Sequence, residues 1–78
     1  MPEFETKVQE LNQLGENLLK AGNADAAYEY FQQAEQADPN CITSYLNQAK
    51  VLISTDALKE AQEALNKALL LDAQNAEA

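Results

Sequence analysis

The sequence predicts an all-α protein made of two antiparallel helix-turn-helix repeats, four helices in all. Three observations carry that expectation. The 78 residues include only two glycines and two prolines and are rich in Ala, Leu, Glu, Gln and Lys, the side chains that lose least on entering a helix. Apolar residues recur at spacings of three and four, while β-branched and aromatic residues are too few and scattered to line a sheet. Finally, a 34-residue echo runs through the chain: Val8, Leu11, Gly15, Leu18, Ala27, Phe31, Ala34 and Asp38 reappear as Ile42, Tyr45, Ala49, Leu52, Ala61, Leu65, Ala68 and Asp72. Size and polarity class kept in register over a whole repeat mark a stack of like units, each contacting its neighbours.

The first helix carries Phe4, Val8, Leu11, Gly15 and Leu18 on one face, with Leu14 beside them. Pro2 fits a first turn, where its missing N–H costs nothing, and Glu3 and Glu5 suit the positive end of the helix dipole. Gly22-Asn23 stops this helix, and Asn23 is placed as the N-cap of the next. The second helix runs to about Ala37 with Ala24, Ala27, Tyr28, Phe31 and Ala34 inward, and Asp38-Pro39-Asn40 ends it. A third helix starts near Cys41 or Ile42 and turns Ile42, Tyr45, Ala49 and Leu52 inward. Ser54-Thr55-Asp56 marks the next break, with Thr55 or Asp56 as N-cap. The fourth helix shows Leu58, Ala61, Leu65, Ala68 and Leu69 on one side and is expected to fade near Asp72.

Short connections make consecutive helices antiparallel. Gly15 and Ala49 face Ala27 and Ala61 across the two hairpins, so the backbones approach closely, and Phe31 and Leu65 fill the space beside each contact.

Composition excludes several kinds of function. Thirteen acidic residues against five lysines give a net charge of −8, which repels phosphate backbones and anionic lipid, so neither nucleic acid nor a membrane is an expected partner. No apolar run approaches the roughly 20 residues that span a bilayer. The single Cys41 has no internal disulfide partner, and MPEFETK has neither the basic nor the apolar stretch of a signal peptide. A cytoplasmic location is the resulting expectation. Without histidine, the usual general base and metal ligand is missing, and Cys41 has no imidazole to activate it. Cys41 reads as a small apolar residue opening the third helix, and Glu60 and Glu63, one turn apart, as a solvated surface. There is no Gly-rich phosphate cradle and no zinc spacing. No enzyme, cofactor or metal is expected. Of the aromatics, Tyr28, Phe31 and Tyr45 are explained by packing, and Tyr30 is the one placed to reach the surface.

Leu11-x-x-Leu14-Gly15-x-x-Leu18, followed by Ala27, Phe31, Ala34 and Pro39, resembles the signature of the tetratricopeptide repeat family, with Leu at that family's usual Trp and Tyr positions. The second copy is degenerate: Tyr45, Ala49, Leu52, Ala61, Leu65 and Ala68 fit, while Gln48 replaces Leu14 and Ala73 replaces Pro39. The resemblance implies one domain over residues 1–78, with repeat 1 at about 8–41, repeat 2 at about 42–75, and 76–78 as the start of a truncated third. It also implies a short right-handed superhelical solenoid whose first helices line a concave groove for a peptide or helix of a protein partner.

On that frame the groove residues are Gln9, Asn12, Gln13, Glu16, Leu19 and Lys20 from the first helix, with Thr43, Leu46, Asn47, Lys50 and Ile53 from the third. All are expected on the exposed side. Such an amide-rich surface suits hydrogen bonding to an extended backbone. Some family members grip acidic chaperone tails through a lysine, asparagine and arginine clamp. Here Asn47 matches, but Asn12 stands where lysine is expected and Glu16 where asparagine is expected. A neutral or basic partner is therefore expected instead.

Leu69-Leu70-Leu71 stands where the first copy has Glu35-Gln36-Ala37. Leu58, Leu65, Leu69 and Leu70 thus form a face expected to be covered by a further repeat, another domain or a second copy. The functional expectation is a protein–protein interaction module, with self-association through these leucines as the alternative.

Overall fold

The computed structural model describes the backbone of residues 3–77 and the side chains of residues 7–73. The expected roles of Pro2, the side chains of Glu3, Phe4 and Glu5, and the side chains of residues 74–78 lie outside the described residues. Among the described residues four helices follow one another: α1 (Glu3–Lys20), α2 (Ala24–Ala37), α3 (Ile42–Ser54) and α4 (Leu58–Glu77). α1 pairs with α2 and α3 with α4, and α3 joins the two hairpins by packing on α2 and touching α1. The Cα envelope of 37 × 29 × 16 Å is a slab two helix layers thick.

The breaks repeat with the sequence. α1 closes on Gly22 at φ +86°, with the Asn23 N–H donating to the Leu18 carbonyl at 2.8 Å and the Gly22 N–H to that of Leu19 at 3.0 Å. Thirty-four residues on, Asp56 takes the same left-handed turn at φ 68°; Ala57 donates to Leu52 at 2.8 Å and Asp56 to Ile53 at 3.1 Å. Both are helix stops in which a left-handed residue lets the next amides satisfy the last carbonyls. This corrects the expectation of Thr55 or Asp56 as an N-cap. Asp56 ends α3, and Thr55 Oγ1 bonds back to the carbonyls of Val51 and Leu52 at 3.1 and 3.2 Å. Asn23 does occupy the N-cap position of α2, but through its backbone carbonyl and without a side-chain bond.

At the middle break, Asp38 is extended, as a residue before proline must be, and its side chain accepts from the Asn40 N–H at 3.1 Å. α4 continues to Glu77, past the expected end near Asp72. Ala73 stands where Pro39 bars continuation after α2, so nothing there forbids the helix.

Among the described residues three apolar clusters make the core. Val8, Leu11 and Ala34 pack between α1 and α2, with half-buried Tyr30 and Cys41 against them. Ala27 and Phe31 pack with Val51 of α3, which wedges the second hairpin onto the first. Ala49, Leu52, Ala61 and Ala64 close the α3–α4 hairpin. In α4 the buried stripe is Ala61, Ala64 and Ala68; Leu58, Leu65 and Leu69 turn away from it and are exposed. Gly15 is where α1 meets the Phe31 ring: a Cβ added there would lie 2.7 Å from Cδ1 and 2.8 Å from Cζ. Among the described residues no helix is long and apolar enough to cross a membrane.

Candidate functional site

α1 and α3 lie side by side because Ser44, Asn47, Gln48 and Val51 of α3 are buried against the first hairpin. Three of these are polar, and each finds a partner. Asn12 Nδ2 donates to Ser44 Oγ at 3.2 Å, and the hydroxyl returns to Asn12 Oδ1 at 3.4 Å. Asn47 Nδ2 donates to Asn12 Oδ1 at 3.4 Å and to Glu16 Oε2 at 3.3 Å. Gln48 Nε2 donates to Glu35 Oε1 at 2.7 Å and to the Phe31 carbonyl at 3.4 Å. Among the described residues no buried side-chain nitrogen or oxygen is left without a partner. A fully satisfied network of this kind fixes register between helices, since a shift would strand several polar groups at once.

This corrects the expected exposure of two groove residues. Asn12 and Asn47 are 5% and 2% exposed. They are buried because α3 crosses α1 at their height and each supplies what the other needs. Leu19 is half-buried against the Ala27–Phe31–Val51 cluster. Above the network lies a hollow of about 440 Å³ lined by Val8, Gln9, Asn12, Gln13, Glu16, Cys41 and Thr43. It thus gathers Gln9, Asn12, Gln13, Glu16 and Thr43 of the expected set. Lys20, Lys50 and Ile53 are exposed outside it. Gln13 is itself held by Asn17, donating to Oδ1 at 3.2 Å.

Leu46 belongs to a second hollow, of about 350 Å³, with Ile42, Leu65, Ala68, Leu69 and Asp72 between α3 and α4. The structure divides the leucine face that the sequence suggested. Leu65 and Leu69 share this hollow, Leu58 is exposed beyond it, and Leu70 turns to another side with Pro39, Tyr45, Lys67 and Leu71. Adjacent helical residues point about 100° apart, so Leu69 and Leu70 do not share one face. Beside Leu70, Tyr45 donates its hydroxyl to the Pro39 carbonyl at 2.7 Å, and Lys67 Nζ lies 5.7 Å from its ring centre. Burial raises the Tyr45 phenol above its usual value of 10.0, and the negative charges of the Glu35 and Asp38 carboxylates push the same way.

Sequence reasoning missed Ser44, Gln48 and Val51 as contact residues. The available signal was charge: Lys50 is the single charged residue of α3, unusual for a helix with an open side. Among the described residues no three His, Cys, Asp or Glu side chains are gathered to hold a metal.

Two like hairpins, joined by the first helix of one lying on the pair before it, define a helical-repeat interaction scaffold. The family model described as tetratricopeptide repeat matches residues 18–78, and the chain belongs to that family. Repeats of the family typically bind protein partners and carry no catalysis. No curated protein and no solved structure matches this chain.

Proposed function

We infer that this chain is a non-catalytic protein–protein interaction module whose α1–α3 side serves as a concave groove for an extended peptide or a helix of a partner. The hollow over the Asn12–Ser44–Asn47–Glu16 network carries the reading. Gln9, Gln13, Glu16 and Thr43 offer amide, carboxylate and hydroxyl groups at its rim, and Asn12 and Asn47 hold its floor in one register. A preformed groove loses little ordering entropy on binding. Glu16 and the net charge of −8 favour a neutral or basic segment and speed its encounter at low salt. Peptides selected from a random library on the intact chain test this. Replacing Gln9, Gln13 and Thr43 by Ala should weaken the selected peptides at least about tenfold. Unchanged affinity for that variant refutes the groove, and affinity indifferent to salt refutes the charge preference.

A second reading rests on a different observation, the exposure of Leu58, Leu65, Leu69 and Leu70. It holds that this apolar surface is covered in the working assembly, by a further repeat, another domain or a second copy.

A further inference from the structure

Repeat 1 is covered by α3, and the way it is covered indicates what fits the open face of repeat 2. On repeat 1, Ser44 and Asn47 meet Asn12, Asn47 also reaches Glu16, Gln48 reaches Glu35, and Val51 packs on Phe31. Thirty-four residues further along, the receiving positions Asn12, Glu16, Phe31 and Glu35 are Leu46, Lys50, Leu65 and Leu69. Leu46, Leu65 and Leu69 line the hollow between α3 and α4 and are 41%, 38% and 66% exposed. The receiving positions recur while their chemistry inverts: two polar positions have become leucine and one carboxylate has become an ammonium.

We propose that the α3–α4 face receives an amphipathic helix of a partner protein, docked in the register that α3 takes on repeat 1. That helix carries apolar residues at the Ser44, Gln48 and Val51 positions and an acidic residue at the Asn47 position. This rests on the reading that the leucine surface is covered, and it names the occupant. Two arguments select a helix of this kind. The face continues the α3–repeat 1 interface one repeat along, so a helix is the shape it is built to take. The reversal from Glu16 to Lys50 also makes an acid, rather than an amide, the complementary group. A second copy is a poorer match. Nowhere in this chain does an acid three residues after a large apolar side chain accompany further large apolar side chains four and seven residues after it.

The probe is a synthetic peptide of residues 41–55 carrying S44L, N47E and Q48L, with the unsubstituted peptide as control. Both are titrated calorimetrically into the intact chain. Placing leucine rather than amide or hydroxyl against Leu46 and Leu69 should make the substituted peptide bind at least about tenfold more tightly. A chain variant with Leu46→Asn, Lys50→Glu and Leu69→Glu gives repeat 2 the residues of repeat 1 at three exposed positions. There the preference between peptides should reverse, with circular dichroism confirming the fold. Equal binding of the two peptides, or a preference unmoved by the variant, overturns the register. Light scattering on the chain and on Leu65→Asp separates this failure from that of the underlying reading. If no peptide binds but the chain is a dimer that Leu65→Asp dissociates, a second copy covers the face and the partner helix is wrong. If no peptide binds, the chain is monomeric and Leu65→Asp melts like the parent, both are wrong.

Discussion

Gly15 and Phe31 should behave as one packing unit, replaceable together but not singly. A Cβ at position 15 would lie 2.7 and 2.8 Å from two Phe31 ring atoms, and Phe31 is fully buried, so the ring has no open space to enter. Overpacking of this kind costs about 1–3 kcal/mol, while Ala in place of a mid-helix Gly returns about 1 kcal/mol. With several ring atoms in the way the upper part of that range applies, and Gly15→Ala should lose about 1–2 kcal/mol net. Phe→Ala truncations cost about 3–5 kcal/mol, and leucine keeps much of the lost volume, so Phe31→Leu alone should lose about 1–2 kcal/mol. In the double variant the new methyl enters the space the ring leaves, and the helix keeps its gain from alanine. Its stability should fall within about 1 kcal/mol of the parent, a coupling of about 2 kcal/mol. Repeat 2 has Ala49 and Leu65 at these two positions, but Leu65 is exposed there and does not pack on Ala49, so the pair is specific to repeat 1. Urea unfolding followed by far-ultraviolet circular dichroism gives all four corners of the cycle. Additive losses, leaving the double variant as unstable as the sum of the singles, refute the argument that helix approach in repeat 1 is set by this pair.

Three further outcomes are expected. Gly22 and Asp56 hold equivalent left-handed turns, so Gly22→Ala should cost about 1 kcal/mol and Asp56→Gly gain up to about 1 kcal/mol, read as opposite shifts in thermal midpoint. Asn12→Ala removes the partner of Ser44 and one partner of Asn47, which should cost about 1–3 kcal/mol in urea unfolding; a loss near zero would mean the network contributes nothing. The Tyr45 phenol is raised above 10.0 in the folded chain. The unfolded chain therefore releases this proton first, and the stability Tyr45 contributes is complete below pH 10 and declines as pH rises towards its folded value. Tyr45→Phe should remove that part of the alkaline loss, measured as urea midpoints on either side of pH 10.

Most of the fold was legible because its signals are local. Gly22, Pro39 and the spacing of Val8, Leu11, Ala27, Phe31 and Ala34 act within a turn or two of themselves, and the helices begin and end close to where those residues put them. α3 was read only in part. One apolar stripe, Tyr45, Ala49 and Leu52, gives its packing on α4, but a sandwiched helix has two buried faces, and its second is built from Ser44, Asn47 and Gln48. Polar residues carry no apolar period, so periodicity assigned Asn47, like Asn12, to solvent. The same limit applies at Asp56, whose residue type suits a helix start as well as a left-handed stop. In α4, helix geometry alone sets Leu69 and Leu70 about 100° apart, but which neighbours each one meets, Ile42 and Leu46 for Leu69, Pro39 and Tyr45 for Leu70, follows only from how the helix is set against α3.

The most direct test of the groove is amide chemical-shift mapping on the labelled chain, titrated with a peptide selected for binding to it. Binding in the groove should shift Gln9, Gln13, Glu16 and Thr43 most, with smaller shifts carried into Asn12, Ser44 and Asn47 through the network beneath. Shifts confined to the exposed residues of α2 and α4, such as Glu29, Gln33 and Glu63, would place the working surface on the other layer and contradict it.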